Sequence, residues 1–560
     1  MRQNETGIPQ AGVGVRGGRG LHTFRSLKDM LLRGWDRGPG HEHGHGHEHG
    51  GIWERQPSLE LYHELTVAYA THKIRRVLDD GHEQVDEVRL RSYNGQLVGP
   101  TLEVRPGDTL RVLLRNQLPF KEELVGDHPH VGPHGANVTN LHFHGMHVSP
   151  AGNSDNVLLA IGPNQELEYE VKIPEDHPAG THWYHAHKHG AVSIQLGSGM
   201  AGPLIVRGDI DQLEGIREAR ERIIVLQQIP YGRVTDPYDN TRQANMVEEF
   251  SQLFEITWQR DLVPQGRRVT LNGEILPTFR MRPGEVERWR FIHAGIHFPF
   301  RLRLVREGGN PATESIPYYL IAMDGITTGR LDRVDVTEMH PGYREDVLVH
   351  AVGRDGRPLA RGTYLLVDEV EQNPGARVLA RVVVEGPPKM MRLPRPEALA
   401  ALAPFEPIGD EELTSTTPQE ARFEVQIVKP PPAPEFRFLL NGKEFSPHDP
   451  PRQLTLGAVE EWVVSSVGAA EFFPGHPFHI HTNPFQLQDA QGRAIWKDTI
   501  FVPVGQQVRL RTRYRRYIGQ FMLHCHIVTH EDEGMMQLLE IVPPRQDAGG
   551  TPGGGSGSHH

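Results

Sequence analysis

The sequence has a single cysteine, Cys525, among its 560 residues. A lone cysteine cannot form a disulfide within its own chain, so a bridging role is excluded. No apolar run approaches the ~18 residues of a membrane span. Residues 1–40 lack the apolar segment of a secretory signal. We therefore expect a protein without a membrane span, in which the thiol serves chemistry.

Positive charge is also scarce. The chain has 59 Lys and Arg against 71 Asp and Glu, a formal net charge of -12. Because nucleic-acid binding requires a basic face, we expect no nucleic-acid partner. With 60 Gly and 45 Pro, turns are frequent, which favours many short strands over long helices. The 33 histidines are the unusual feature.

One pattern recurs three times along the chain. An Asn-Gly pair, followed by Pro, Gly and a run of alternating polarity, begins at Asn94, Asn272 and Asn441. Each copy predicts a turn followed by a strand, and the spacing suits a whole β-domain rather than a solenoid unit. The predicted divisions are a disordered segment at 1–54, β-sandwich domains at 55–212, 213–388 and 420–545, a linker with one short helix at 389–419, and a tail or tag at 546–560.

The predicted disordered segment ends in a tract, residues 41–50, in which His alternates with Gly and Glu. Such a tract either holds metal loosely or is a flexible tail without a fixed site.

Histidines and the cysteine gather in four further short segments. These are His142-Phe143-His144, His185-Ala186-His187, His479-Ile480-His481 and His524-Cys525-His526. Alternate residues of a strand share a face, so both histidines of each pair can reach one site. Cys525 points away from its two neighbours, so one peptide segment would join two metal sites.

The ligand types indicate which metal these sites would hold. Cys525 is followed by His530 and Met535, so a thiolate, imidazoles and a thioether occur together. Soft sulfur combined with imidazole favours copper over calcium or magnesium. Zinc remains possible on ligand type alone, although no CxxC or HExxH pattern outside the low-complexity tract at 41–50 supports it.

In combination, the segments HxHG, WYHAH, HPxHxH and HCHxxxHxxxGM resemble the four signature segments of the multicopper oxidases, the group that contains laccases, bilirubin oxidases and cuprous oxidases. The resemblance covers nearly all of residues 55–545. It implies an all-β fold of three cupredoxin-like Greek-key β-sandwich domains in tandem. It also implies that the metal sites lie in the first and third domains and that the middle domain carries no ligand.

The resemblance implies four coppers with the following ligands. A blue copper would be held by His476, Cys525 and His530, with Met535 as the long axial ligand. A mononuclear member of a trinuclear cluster would be held by His142 and His479. A coupled binuclear pair would take His144, His185, His187, His481, His524 and His526.

Three further residues have expected roles. Glu531 and Asp155 resemble acidic positions that feed protons toward the cluster, and the alternative for each is a solvated carboxylate. A weakly ligating Met535 should lower the potential of the blue site, so we expect a low- to mid-potential enzyme.

The activity implied is laccase-like: phenols or aromatic amines lose single electrons, and dioxygen is reduced to water. The absence of a Met-rich cluster, with only 13 Met in the chain, favours this activity over the alternative, a cuprous oxidase of copper resistance. The His-rich tract at 41–50 favours the alternative. Copper nitrite reduction and copper storage are further alternatives. Such relatives imply an exported protein, periplasmic, extracellular or at the cell surface, that works as a monomer.

Overall fold

The computed structural model describes the backbone of residues 13–17 and 20–24, and residues 57–77, 82–120, 132, 134–248, 253, 269–371, 374–429 and 435–544. The His-rich tract at 41–50 and the tail from 545 onward lie outside the described residues.

Strands dominate the first part of the chain. They are β1 (Val13–Gly17), β2 (Gly20–Phe24), β3 (Glu60–Val77), β4 (Glu83–Tyr93), β5 (Leu102–Val104), β6 (Thr109–Asn116), β7 (His142–His144), β8 (Glu166–Lys172), β9 (Gly180–His185) and β10 (Ala201–Val206).

In the described residues of the middle part, fourteen strands follow. They are β11 (Arg220–Gln228), β12 (Gly232–Asp236), β13 (Asp239–Met246), β14 (Val269–Leu271), β15 (Thr278–Met281), β16 (Val286–His293), β17 (Phe300–Arg306), β18 (Ser315–Ile316), β19 (Tyr318–Met323), β20 (Ile326–Val334), β21 (Thr337–Met339), β22 (Arg344–His350), β23 (Gly362–Asp368) and β24 (Val378–Val384).

The last part is again built from strands. Short helices lie between strands in all three parts of the chain. The strands are β25 (Gln419–Lys429), β26 (Glu435–Leu440), β27 (Arg452–Thr455), β28 (Val459–Gly468), β29 (Gly475–Ile480), β30 (Phe485–Gln488), β31 (Ala494–Lys497), β32 (Thr499–Pro503), β33 (Gln507–Arg513), β34 (Gly519–Cys525) and β35 (Met536–Val542). The α-helices are α1 (Val192–Gly197), α2 (Pro311–Glu314), α3 (Pro374–Arg377), α4 (Pro396–Ala400) and α5 (Val528–Asp532), and 3₁₀ turns span Asp209–Gln212 and Asp410–Glu412.

The sheets come in three successive pairs, and the all-β fold is confirmed. The first pair has the orders β12-β13-β4-β3-β1-β2, with β6 and β8 joined through β3, and β5-β10-β9-β7. The second has β14-β11-β16-β22-β19-β20 and β15-β24-β23-β17-β18, with β21 beside β17. The third has β26-β25-β28-β33-β30-β31 and β27-β35-β34-β29-β32. Each pair encloses its own hydrophobic core, so we refer to the first, middle and third sandwich.

The three Asn-Gly pairs have the same geometry in each sandwich. Asn94, Asn272 and Asn441 have φ of 54°, 53° and 54°, and each following glycine also has positive φ. Positive φ at both central residues is the signature of the type I′ hairpin turn. Each Asn side chain accepts a hydrogen bond from a backbone N–H of an earlier strand of the same sandwich. The donors lie on β3, β11 and β25, at 2.7, 2.7 and 2.9 Å. The recurring pattern therefore marks a repeated structural unit.

Two features depart from the expected divisions. Within the segment expected to be disordered, β1 and β2 form an antiparallel hairpin, and β1 extends the sheet beside β3. The β12–β13 hairpin follows the first strand of the middle sandwich but pairs through Asn245 with Val88 of the first. Local alternation cannot reveal either feature, because both depend on pairing between distant segments. Among the described residues, no helix has the length and apolarity needed to cross a membrane.

Candidate metal centres

Strand register brings the histidine segments together. On β7 and β9, His142 is the register partner of His185. On β29 and β34, His479 is the register partner of His524, and Phe478 is the partner of Cys525. The two pairs of strands belong to the first and third sandwich, so the histidines meet between them.

One centre gathers the cysteine and two histidines of the third sandwich. The Cys525 Sγ lies 3.6 Å from the His476 Nδ1 and 3.7 Å from the His530 Nδ1. The two Nδ1 atoms are 3.2 Å apart, and all three side chains are fully buried. Met535 is also fully buried; its N–H donates to the His530 carbonyl, and its own carbonyl accepts from the Cys525 N–H. The chain from α5 to β35 thus brings the backbone of Met535 back to that of Cys525.

The cysteine thiol is in a setting that a bound cation would suit. Burial raises the pKa of the Cys525 thiol well above its usual range. Because the thiolate is the form that binds metal, a cation must offset this burial at neutral pH. Copper, the metal that the sequence predicts for this centre, fits this donor set of one thiolate, two imidazoles and one thioether.

The other eight histidines form a second buried cluster. Its members are His142, His144, His185, His187, His479, His481, His524 and His526, each no more than 2% exposed. The rings of His142 and His481 stack with centroids 3.9 Å apart, and those of His144 and His479 stack at the same separation. The first and third sandwich therefore contribute to this cluster in matched pairs.

Ring nitrogens converge at two points in this cluster. The His524 Nε2 lies 3.2 Å from the Nε2 atoms of both His187 and His481. On the other side, the His526 Nε2 lies 3.2 Å from the His144 Nδ1. The buried Nε2 atoms of His142, His185 and His479 have no hydrogen-bond partner.

Burial and the neighbouring rings keep these imidazoles neutral. Burial is the largest cause and lowers the pKa of all eight histidines, to about 4 for His187 and His524. Neutral imidazoles whose lone pairs converge without a partner are the expected donors to a divalent transition metal. The residues present therefore fit bound metal at this cluster.

Three carboxylates face the outer nitrogens of the histidines. The Asp155 Oδ1 lies 2.9 Å from the His142 Nδ1, and the Asp498 Oδ1 lies 3.3 Å from the His144 Nε2. Glu531 spans two rings: its Oε1 lies 3.3 Å from the His187 Nδ1 and its Oε2 lies 3.1 Å from the His524 Nδ1. Carboxylates in such positions fix the orientation of metal-binding histidines. Asp155 and Glu531 are buried, so they are not the solvated carboxylates of the alternative interpretation.

The two carboxyls predicted from the sequence hold protons more tightly than usual. Burial raises the pKa of Asp155 to about 8, and the N–H of Phe143 opposes part of that rise. Burial raises the pKa of Glu531 to about 7, with His187 opposing it.

The cysteine centre is more enclosed than a solvent-facing site would be. The His530 ring stacks on Phe438 at 4.3 Å and meets Phe473 at 4.9 Å. His297, which follows β16 of the middle sandwich, meets the His530 ring edge-on at 5.7 Å. His297 and Asp498 were not predicted, because neither belongs to a histidine-pair motif. Asp498 could have been found only through its position directly before β32, which pairs with the histidine strand β29.

Known proteins resemble this chain over most of its length. Models of the family "Multicopper oxidase" match residues 131–210 and 412–545. A laccase of Bacillus subtilis is 23% identical over 88% of this chain and 96% of its own length. A multicopper oxidase structure from Pediococcus acidilactici superposes with a TM-score of 0.63 at 23% identity, covering 87% of this chain and 88% of that one. A Campylobacter jejuni multicopper oxidase described as a metallo-oxidase superposes with a TM-score of 0.59 at 22% identity, covering 89% of this chain and 96% of that one.

Proposed function

Because this chain belongs to the multicopper oxidase family, with family domains at residues 131–210 and 412–545, we propose that it is a laccase-like oxidase. It takes single electrons from phenols or aromatic amines and reduces dioxygen to water. The observation that carries this proposal is the segment His524-Cys525-His526. Its sulfur faces one buried centre and its two imidazoles face the other, so three consecutive residues connect the two centres covalently.

The proposed ligand sets follow donor-atom distances and ring contacts. A blue copper would be held by His476, Cys525, His530 and Met535. The other three coppers would be held by His142 with His479, by His144, His185 and His526, and by His187, His481 and His524. When bound, copper supplies one-electron redox chemistry and, at several closely spaced ions, storage of the four electrons that one dioxygen requires.

The protein's own part in this reaction is to orient ligands, exclude bulk water and move protons. Reduction of one dioxygen to two waters consumes four electrons and four protons. Glu531 and Asp155 are the proposed proton carriers, because each carboxyl lies against the outer nitrogen of a histidine in the eight-membered cluster. The Asp155 Oδ2 has no hydrogen-bond partner, so one oxygen remains available to exchange a proton.

The alternative substrate is cuprous ion. The metallo-oxidase description of the Campylobacter jejuni protein and the His-rich tract at 41–50 favour it. Against it, the methionines that the described structure places at or beside the cysteine centre are Met535 and the packed pair Met522 and Met536, which do not form a Met-rich helix or loop. The adjacent Met390 and Met391 lie instead beside Gly284 of the middle sandwich. We therefore propose phenolic or aromatic amine donors, and a protein that is monomeric and exported.

The proposal is tested on the purified, copper-loaded chain. We expect about four coppers per chain, an intense absorption band in red light, and oxygen uptake that is faster with a dimethoxyphenol than with cuprous ion. Cys525→Ser should abolish the red-light band and oxygen uptake together. A colourless oxidised protein contradicts the copper oxidase. Faster turnover of cuprous ion contradicts the laccase-like activity and supports the alternative, and uptake that requires nitrite supports nitrite reduction.

A further inference from the structure

One fully buried arginine of the middle sandwich lies beside the histidine cluster. Arg344 is the first residue of β22, and its guanidinium contacts groups from all three sandwiches. Its Nε donates to the carbonyl of Thr181 on β9, and its Nη atoms donate to the carbonyls of Gly342 and Asp324. The two remaining N–H groups donate to the Asp498 carboxylate at 2.8 and 2.5 Å. All five donors of the guanidinium are therefore used.

Asp498, the carboxylate that Arg344 holds, contacts two histidines of the cluster. Its Oδ1 lies 3.3 Å from the His144 Nε2, and its backbone carbonyl lies 2.8 Å from the His479 Nδ1. These contacts fix which nitrogen of each ring faces inward: Nδ1 of His144 and Nε2 of His479. The Asp498 Oδ1 also lies 3.6 Å from the His479 Nδ1. His144 comes from the first sandwich and His479 from the third, so the carboxylate that Arg344 holds faces ligands from both.

The middle sandwich also holds the backbone around Asp498. The Asp324 Oδ2 accepts hydrogen bonds from the N–H groups of Asp498 and Thr499, at 3.2 and 3.3 Å. The same oxygen pairs with the buried Lys497 ammonium at 3.1 Å. Asp324 therefore fixes the main chain, and Arg344 fixes the side chain, at the same position.

Two glycines create the space for this approach. At Gly145, the last residue of HxHG, φ is +83° and a Cβ would lie 2.0 Å from the Arg344 Nη2 and 2.6 Å from the Asp498 Oδ2. At Gly342, φ is +90° and a Cβ would lie 2.9 Å from the His526 ring. Any larger residue at either place would push the middle sandwich away from the cluster.

We propose that Arg344 is a positioning residue of the oxygen-reducing site: it locks Asp498 so that His144 and His479 present fixed nitrogens to the metal. The inference rests on the proposed function and gives the ligand-free middle sandwich a direct part in it. A lysine cannot replace Arg344, because an ammonium is a point charge that lacks the planar fork needed to grip both carboxylate oxygens.

Arg344→Lys tests this inference, with Arg91→Lys as the matched control. Arg91 is equally buried, and its hydrogen-bond partners, the Asn137 side chain, the Val247 carbonyl and the Glu248 carboxylate, lie outside the histidine cluster. We expect Arg344→Lys to keep the absorption band of the cysteine centre, since that centre does not contact Arg344. Loss of a partner behind a metal-binding histidine typically costs about 10- to 100-fold in metal affinity or activity.

The readouts are copper per chain after dialysis against a chelator, the electron paramagnetic resonance signal of the copper held by His142 and His479, and the rate of reoxidation by dioxygen. We expect Arg344→Lys to change all three, and Arg91→Lys to leave them at the parent values. Equal behaviour of the two variants overturns the inference. If Arg344→Lys does not fold, Asp498→Asn takes its place, and unchanged readouts in that variant also overturn it. A parent protein without the red-light band contradicts the proposed function instead.

Discussion

The carboxylate of Glu531 lies 3.1 Å from the Nδ1 of His524, the residue directly before the lone cysteine. Glu531 follows His530 in the short helix α5 and is itself fully buried. One turn of helix therefore serves both centres, because His530 faces the cysteine while Glu531 faces the histidine cluster.

Replacing Glu531 by glutamine should slow oxygen reduction without disturbing the cysteine centre. The amide keeps the shape of the side chain but cannot deliver a proton, and loss of general acid–base catalysis typically costs about 10²- to 10⁴-fold. We expect an intact red-light band, unchanged anaerobic reduction of the blue site, and reoxidation slower by about 10²-fold in stopped-flow measurements. Glu533→Gln is the control, since the charged groups that act on that partly buried carboxylate are Asp532 and Glu444 and not histidines of either centre. Equal reoxidation rates for both variants would show that Glu531 does not supply protons to the reaction.

Met535→Leu should raise the reduction potential of the blue site while copper stays bound. The substitution removes a weak axial thioether and leaves the thiolate and both imidazoles in place. The neighbouring Met536 is the control, because it packs in a separate cluster with Val157 and Met522. Redox titration of the absorption band measures both variants. A potential that does not change in Met535→Leu, or that changes equally in Met536→Leu, contradicts the axial assignment.

Removal of copper should loosen the contact between the first and third sandwich. A ligand that binds only the folded state adds about 4 kcal/mol of stability when it is present at 1,000 times its dissociation constant. We expect chelation to lower the melting temperature and to raise hydrogen exchange in β7, β9, β29 and β34. Exchange in β19 and β23 of the middle sandwich, neither of which carries a proposed ligand, should change less. Uniform exchange across all three sandwiches would contradict this expectation.

His63 should make folding stability depend on pH in the acid range. This side chain lies in β3, far from the centres in sequence, and neither ring nitrogen has a hydrogen-bond partner. Burial lowers the pKa of His63 to about 4, so between about 6.5 and 4 the unfolded chain binds a proton that the folded chain does not. Stability therefore falls as pH falls through this window, by up to about 3 kcal/mol from this group.

His63→Leu should reduce that fall. The measurement is chemical denaturation of copper-free parent and variant between pH 7 and pH 4, compared as a difference so that the other histidines cancel. A difference in unfolding free energy that stays constant with pH would show that His63 does not titrate in this way.

The grouping of the histidine pairs and Cys525 could be predicted from the sequence because the information is local. The first pair, His142 and His144, lies within β7, and each of the other three pairs begins in a strand and has its second histidine just beyond the strand end. Cys525 lies between two residues that point the other way. The Asn-Gly turns could be predicted for the same reason, because their positive φ values depend on only two neighbouring residues.

The parts that sequence reasoning missed depend on contacts between distant segments. Arg344 belongs to a strand without any metal-binding motif, and its partner Asp498 is 154 residues away. The N-terminal hairpin likewise gains its place by pairing with β3, through Gly14 and Tyr62. Periodicity and spacing carry no information about such pairings.

The contact between histidines from distant parts of the chain has a consequence for biosynthesis. His187 and His524 meet at 3.2 Å although 337 residues separate them. A ribosome releases the first sandwich long before the last strand emerges, and domains fold in that order. The early half of the donor set is therefore incomplete until the third sandwich has been made, so the full histidine cluster can bind metal only after that.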